Sequence, residues 1–339
     1  MSFGLPYKGS KSAIAKYIIG VLPGGNRLVD LFCGGCAITD YALKNTDKFN
    51  RFLINDIDER NPKTYMRALN GGFRNEDRWI SRQDFFKLKE TDDYVRLCFS
   101  FGNSGKTYMY GPQIEPYKRA IHHIVFWEDY APMEELCPAV VKIIHDYCDG
   151  KDQKGRRLAL GKAVADHVKA VGSVEYWQSN PMFRAVKVKW SEDRRGISSS
   201  QLNRGSPLER LQSLASPESL QSLQSLESLE KLERMQSLES QNVQIVASAD
   251  DYRNYVYQDG DVVYCDPPYA NTYKYTVDFD NEGFWQWCRT RNFPVYISEY
   301  RAPEDFISVW SKEKRRLFSR SNLSANAVEH LFLHKKWLE

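Results

Sequence analysis

Asp266-Pro267-Pro268-Tyr269 directly follows the apolar run Val262 to Cys265, and its residue types suit one chemical task. Two prolines after a carboxylate fix a rigid turn that cannot continue as helix. The Asp266 carboxylate can accept hydrogen bonds from an exocyclic amino group, and the Pro267 carbonyl offers a second acceptor. Tyr269 supplies a flat face on which a base can stack. The set fits the holding of an amino group on an extruded base. Its plain alternative is a proline-rich turn with a capping Asp and a buried Tyr.

Three more segments carry weaker signals. Asp30-Leu31-Phe32-Cys33-Gly34-Gly35-Cys36-Ala37 lacks the GxGxxG spacing of a dinucleotide loop, yet its two glycines let a ligand approach the backbone closely. Asn55-Asp56-Ile57-Asp58 places a carboxylate where ribose hydroxyls are bound at a strand end, although a helix N-cap explains it equally well. In Pro6-Tyr7-Lys8-Gly9-Ser10-Lys11, Lys11 at a glycine-initiated helix start can meet a carboxylate, and Tyr7 can cover a ligand. The stretch Gly4 to Ser12 does not supply a phosphate-binding GxxxxGK[ST] loop, so ATP is not indicated.

The elements that must position these residues alternate. Ile14, Ile18 and Ile19 share one face of a helix opening at Gly9-Ser10 and stopped by Pro23-Gly24-Gly25. Leu28 to Phe32 and Phe52 to Ile54 read as strands with a helix from about Ala37 to Lys44 between them, a βαβ unit of a parallel sheet. The rhythm resumes in the last hundred residues, with strands at Val243 to Val246, Val262 to Cys265 and Val295 to Ile297. A helix is expected over Glu282 to Arg289, and Val328 to Leu333 reads as a final strand paired with one near Arg316 to Phe318. One α/β sheet, built from both ends of the chain around an inserted middle, is the simplest architecture.

That middle holds an alternating stretch, Phe183 to Trp190, and ends in low complexity. From Leu208 to Leu238 every third residue is apolar, nine Leu and Met235, interrupted by Pro217. Each three-residue step turns an α-helix ~300°, so the Leu row slips ~60° per triplet and forms no continuous face. A solenoid-like winding, a 3₁₀-rich segment or a frayed spacer suits the period better.

Length and charge bound the rest. A chain of 339 residues is worth roughly two domains at ~150 residues each. The 47 basic and 44 acidic residues sum to +3, which excludes histone-like and acidic-tail proteins. Lys151 to Gly205 holds twelve Lys/Arg against five Asp/Glu, a local excess suited to phosphate contact. Seven scattered cysteines, no secretory h-region and no ~18-residue apolar run point to a reduced, soluble, cytoplasmic protein. Cys33 and Cys36 form a lone CxxC without metal spacing, and no metal site is expected.

The segments Tyr7 to Lys11, Phe32 to Gly34, Asn55 to Ile57 and Asp266 to Tyr269, in this order, resemble the Dam-type family of DNA adenine-N6 methyltransferases, particularly its phage members. Asp250-Asp251-Tyr252 and Ile297-Ser298-Glu299-Tyr300 extend the likeness, and Phe101 to Lys106 is a looser match to the family's target-recognition region. The resemblance implies a doubly wound, mostly parallel seven-stranded methyltransferase sheet. Residues 1–69 and 243–339 would form the catalytic domain, 70–207 an inserted DNA target-recognition region and 208–242 the Leu-triplet segment. It implies S-adenosylmethionine as cofactor, S-adenosylhomocysteine as product, and cofactor contacts at Tyr7, Lys11, Phe32, Gly34, Asp56 and Asp266. The catalytic set is Asp266, Pro267, Pro268 and Tyr269, with Asp266 between the sulfonium methyl and the target N6.

Double-stranded DNA is the expected partner, contacted through Lys106, Tyr108, Arg194 and Arg195, with Lys187, Lys189 and Arg204 as further phosphate ligands and base readout from the Phe101 to Tyr110 loop. A cognate restriction nuclease is a candidate partner, a monomer is the default, and a bacterial cell or phage-infected host is the expected setting. Competing readings are an RNA adenine or cytosine-N4 enzyme, and a catalytically silent DNA-binding protein that shields sites.

Overall fold

The computed structural model describes residues 3–171, 224–235, 243–269, 279–314 and 327–338. The chain divides into two compact units, Met1–Arg74 with Glu230–Glu339, and Asn75–Leu229. The first begins with helix α1 (Ala15–Val21), strand β1 (Arg27–Asp30), α2 (Ala37–Asn45), β2 (Arg51–Asn55) and α3 (Arg60–Leu69). Helix α1 starts later than Gly9-Ser10 suggests. Residues 7–14 form successive turns instead, with Ser10 N–H donating to the Tyr7 carbonyl at 3.2 Å and Ile14 N–H to that of Lys11 at 2.9 Å. Lys11 therefore sits on a turn ahead of the helix and not in its first turn.

The second unit is helical: α4 (Arg82–Leu88), α5 (Asp93–Cys98), α6 (Glu115–Trp127), α7 (Ala131–Leu136), α8 (Pro138–Cys148) and α9 (Gln153–Val171). Its core joins Ile121, Ile124 and Val125 of α6 to Met133, Val140, Ile144 and Leu160. Ser81 and Asp92 cap α4 and α5 by accepting backbone N–H groups.

Helix α10 (Gln224–Arg234) corrects the expectation drawn from the Leu triplets. Ser225, Ser228, Leu229, Leu232 and Met235 are the buried positions, spaced as one helical face. Over about three turns the slipping Leu row is replaced on that face by the small Ser beside it, so a period of three is tolerated in a short helix. Ser225 exchanges a 2.8 Å hydrogen bond with the Tyr110 hydroxyl, and Ser228 accepts one from Asn103 at 3.0 Å. The remaining triplets and Phe183 to Trp190 lie outside the described residues.

The first unit resumes with β3 (Gln244–Ser248), β4 (Asp261–Cys265), α11 (Asn281–Thr290), β5 (Val295–Glu299), β6 (Phe306–Lys314) and β7 (Ala327–His334). The seven strands form one mixed sheet in the order β3-β2-β1-β4-β5-β7-β6. Pairing is parallel from β3 to β5 and antiparallel for β5–β7 and β6–β7, so the parallel character stops at β5. The strand partnering β7 is 306–314, ahead of the Arg316 to Phe318 position expected for it, which lies outside the described residues.

Strand order reverses between β1 and its neighbour β4. Connections leave these two strands in opposite directions and open a crevice at their carboxyl ends. Val29, Val263, Cys265 and Ile297 face a core closed by Phe284, Trp285 and Trp287 of α11. At the strands' other ends Arg27 grips Asp261 through two hydrogen bonds of 2.8 and 2.6 Å. That bidentate pair across the reversal fixes the register beneath the crevice. No helix among the described residues is long and apolar enough to cross a membrane.

Candidate functional site

A cavity of about 450 Å³ opens at the carboxyl ends of the parallel strands, within the usual ~300–1,000 Å³ of small-molecule sites. Its walls are the turns after β1, β2, β3 and β4, Tyr300 after β5, and the segment Tyr7 to Lys11. Tyr7, Lys11, Phe32, Gly34, Asp56, Asp266, Pro267, Pro268 and Tyr269 all line it.

Lys11 is the centre of its charge. Lys11 is 7% exposed, and its Nζ stands 2.7 Å from Asp266 Oδ1 and 3.7 Å from Glu329 Oε1. Burial alone would lower its pKa, but the two carboxylates outweigh burial and hold it above the ordinary value. For Asp266 burial dominates and raises the carboxyl, with Lys11 opposing. The same ammonium lies 4.5 Å above the Tyr269 ring, whose edge meets Tyr300 at 4.7 Å between centroids. The Tyr269 hydroxyl donates to Glu329 Oε1.

Asp30 ends β1 on the cavity wall at 1% exposure. Thr39 Oγ1 donates to its Oδ2 at 3.0 Å, and Oδ1 meets no hydrogen-bond partner among the described residues. Burial, reinforced by Asp266 and Asp56, pushes this carboxyl up to about 8. A buried carboxyl oxygen of this kind beside a cavity can be completed by a ligand or by an ordered water.

Asp56 is held by its own backbone surroundings. Gly34 N–H donates to Oδ2 at 2.8 Å and Asp58 N–H to Oδ1 at 2.9 Å; burial still leaves its pKa raised. The carboxylate thus ties the β1 turn to the β2 turn, and the Asn61 side chain adds a further hydrogen bond to it. Asn55, 3% exposed, extends the tie to β3. Its amide donates to the Leu31 and Asp250 carbonyls at 3.1 and 2.9 Å and accepts from Asp250 N–H at 3.0 Å.

The glycine pair has a different cause from close ligand approach. A Cβ on Gly34, at φ +46°, would stand 2.9 Å from Tyr7 Cε1, and one on Gly35 would stand 2.6 Å from Tyr7 Cβ. The glycines make room for the Tyr7 side chain, which then forms part of the wall. Opposite, Phe32 packs with Tyr252 and Phe279 at 5.2 and 5.7 Å between centroids, an apolar face suited to a flat ring. Cys33 and Cys36 are free and buried, and burial raises both thiols.

The candidate DNA contacts belong to the other unit. Lys106 is exposed, on the loop carrying the 62% exposed Phe101. Tyr108 does not fit that role: it is 6% exposed, donates to the Ile80 carbonyl at 2.8 Å and packs on Phe85. Its ring anchors the loop's base and presents no reading edge. Arg194, Arg195, Lys187, Lys189 and Arg204 lie outside the described residues. Among those described, no group of three His, Cys, Asp or Glu could hold a metal ion.

Sequence reasoning assigns no role to Asp30, Asn55 or Glu329. Asp30 ends β1 at the chain reversal, a position that itself marks ligand contacts, and Asn55 ends the adjacent strand β2. Glu329 had one signal, a carboxylate in the alternating row with Leu331 and Leu333.

Residues 7–121 match the family model described as D12 class N6 adenine-specific DNA methyltransferase. The match begins at the Tyr7 that packs on the glycine pair and ends within α6. No curated protein matches the chain.

Proposed function

We propose, from the likeness of residues 7–121 to the D12 class of N6 adenine-specific DNA methyltransferases and from the site's geometry, that this chain carries the methyl group of S-adenosylmethionine to N6 of an adenine extruded from duplex DNA. The observation that carries this reading is the Asp266 carboxylate, paired with Lys11 at 2.7 Å and beside Tyr269, on the wall of the cavity at the chain reversal. The donor set fits the cofactor. Among the described residues that line the cavity, Asp30, Asp56 and Asp266 outnumber the buried cation Lys11, and Asp30 Oδ1 meets no hydrogen-bond partner there, which suits a ligand bearing positive charge. Tyr7, Lys11, Asp30, Phe32, Gly34 and Asp56 would hold it, and the ligand supplies an electrophilic methyl on a cationic sulfur.

The chain's own residues then position the amine. N6 in duplex DNA is occupied by pairing and stacking, so the base must leave the helix. Asp266 and the Pro267 carbonyl accept the two N6 hydrogens, which raises electron density on nitrogen and aims its lone pair, while Tyr269 offers the stacking face. Catalysis by this set is positioning and electrostatics. DNA recognition is assigned to the inserted 70–207 region, with Lys106, Arg194 and Arg195 as phosphate contacts.

Transfer of label from S-adenosylmethionine to unmethylated genomic DNA, followed by nucleoside mass spectrometry, tests the reading. N6-methyladenine formed by the wild type and lost in Asp266→Ala is the expected result. Label in RNA alone, or in N4-methylcytosine, would reassign the substrate, and absence of transfer with DNA still bound would leave only site shielding.

A further inference from the structure

Glu329 belongs to none of the motifs around the cavity, yet it touches the groups the reaction needs. It comes from β7, in the antiparallel part of the sheet, where Glu329, Leu331 and Leu333 alternate toward one face. Leu331 and Leu333 are 0% and 4% exposed, and Glu329 is itself 0% exposed. A carboxylate in such a row is unfavourable unless its charge and lone pairs are matched. Here Oε1 accepts the hydroxyl of Tyr269, from the catalytic motif, and stands 3.7 Å from Nζ of Lys11. Lys11 in turn lies closer, at 2.7 Å, to Asp266.

One ammonium is therefore shared by two carboxylates, and the arrangement conflicts with the use of Asp266. To accept hydrogen bonds from N6, Asp266 must turn some of its acceptor capacity away from Lys11. A buried ammonium deprived of its anion would resist that change. A displacement of Nζ by about 1 Å toward Glu329, the difference between its two distances, brings it as close to Glu329 Oε1 as it now lies to Asp266. We propose that Glu329 is a positioning residue of methyl transfer: it receives Lys11 when Asp266 engages the adenine amine, and it fixes Tyr269 through the phenol while the ring receives the base. The inference rests on the function proposed above.

Glu329→Gln retains the side chain's shape and an acceptor for the Tyr269 hydroxyl while removing the charge; Glu329→Asp retains the charge on a shorter arm. Single-turnover transfer from labelled S-adenosylmethionine to unmethylated DNA is measured for both beside the wild type, with calorimetric cofactor binding and thermal melting of each. Glu329→Gln is expected to slow transfer between about tenfold and a hundredfold, the scale of a misplaced reacting group. Its cofactor affinity should stay within about threefold of the wild type, its melting temperature should not fall, and Glu329→Asp should recover part of the rate. Wild-type transfer by Glu329→Gln overturns the inference. So does a rate loss matched by equal loss of cofactor binding, or an Asp variant no faster than the Gln variant. An inactive wild type would instead overturn the methyltransferase reading and this inference with it.

Discussion

Asp30→Asn should stabilise the ligand-free protein at neutral pH and weaken cofactor binding. Asp30 Oδ2 accepts from Thr39, a bond that Asn can keep, and burial raises the carboxyl from 3.8 to about 8. The folded state thus holds a proton that the unfolded chain releases above 3.8. Its stabilising contribution is complete below that value and is lost as pH rises through about 8. Between pH 3.8 and 7 roughly three pH units are crossed at about 1.36 kcal/mol each, a loss of about 4 kcal/mol that Asn, which does not titrate, avoids. Urea unfolding of both proteins at pH 5 and pH 7 isolates this group, because the other titrations are common to the pair. The variant's advantage should grow by about 3 kcal/mol between those pH values. A pH-independent difference would refute the assignment of a neutral buried carboxyl. With S-adenosylmethionine the sign reverses. A cationic ligand favours the ionised form, so wild-type binding should release a proton at pH 7. The variant should bind about ten- to a hundredfold more weakly, the worth of a hydrogen bond to a charged group at ~1.5–3 kcal/mol. Equal affinities would remove Asp30 from the cofactor site.

Asp266→Ala should lower methyl transfer by about 10²–10³-fold, the usual loss for one preorganised electrostatic group, in the labelled-transfer assay. Wild-type turnover should fall at acid pH as Asp266 is protonated, with a midpoint above the ordinary 3.8 because burial raises it; a pH–rate profile reads this directly. Gly35→Ala sets a Cβ 2.6 Å from that of Tyr7, so it should cost about 1–3 kcal/mol in thermal unfolding and weaken cofactor binding as Tyr7 is displaced. Lys106→Ala should reduce the salt slope of DNA binding by about 0.9, and Arg194→Ala with Arg195→Ala by about 2. Tyr108→Phe should leave that slope unchanged and cost about 1 kcal/mol of stability through its lost bond to Ile80.

Parallel strands buried on both faces are written as short apolar runs, which is why β1, β2, β4 and β5 are legible in the sequence. Edge strand β6 is not. It carries Lys312, Glu313 and Lys314, and a register shift between Ser308 and Trp310 breaks its two-residue alternation. Gly9-Ser10 resembles a helix start because local capping chemistry is all a sequence displays there, whereas the turn bond from Ile14 N–H to the Lys11 carbonyl delays α1. The Leu triplets mislead in the opposite direction. A global period of three excludes a long amphipathic helix, but a short one needs only Ser225 and Ser228 to fill the places Leu leaves.

The site's chemistry is harder to read than its residues because it resides in pairings between distant segments. Read along the chain, the Tyr7 to Lys11 segment suggests cofactor binding and Asp266 to Tyr269 suggests base holding, two separate tasks. In the fold Lys11 is the ion-pair partner of Asp266, so the two tasks share one charge. The position of Lys11 governs how much acceptor capacity Asp266 has for an amine, and Glu329 provides the second position at 3.7 Å. Under the proposed function, engagement of the adenine amine by Asp266 and transfer of Lys11 toward Glu329 would then be one electrostatic event.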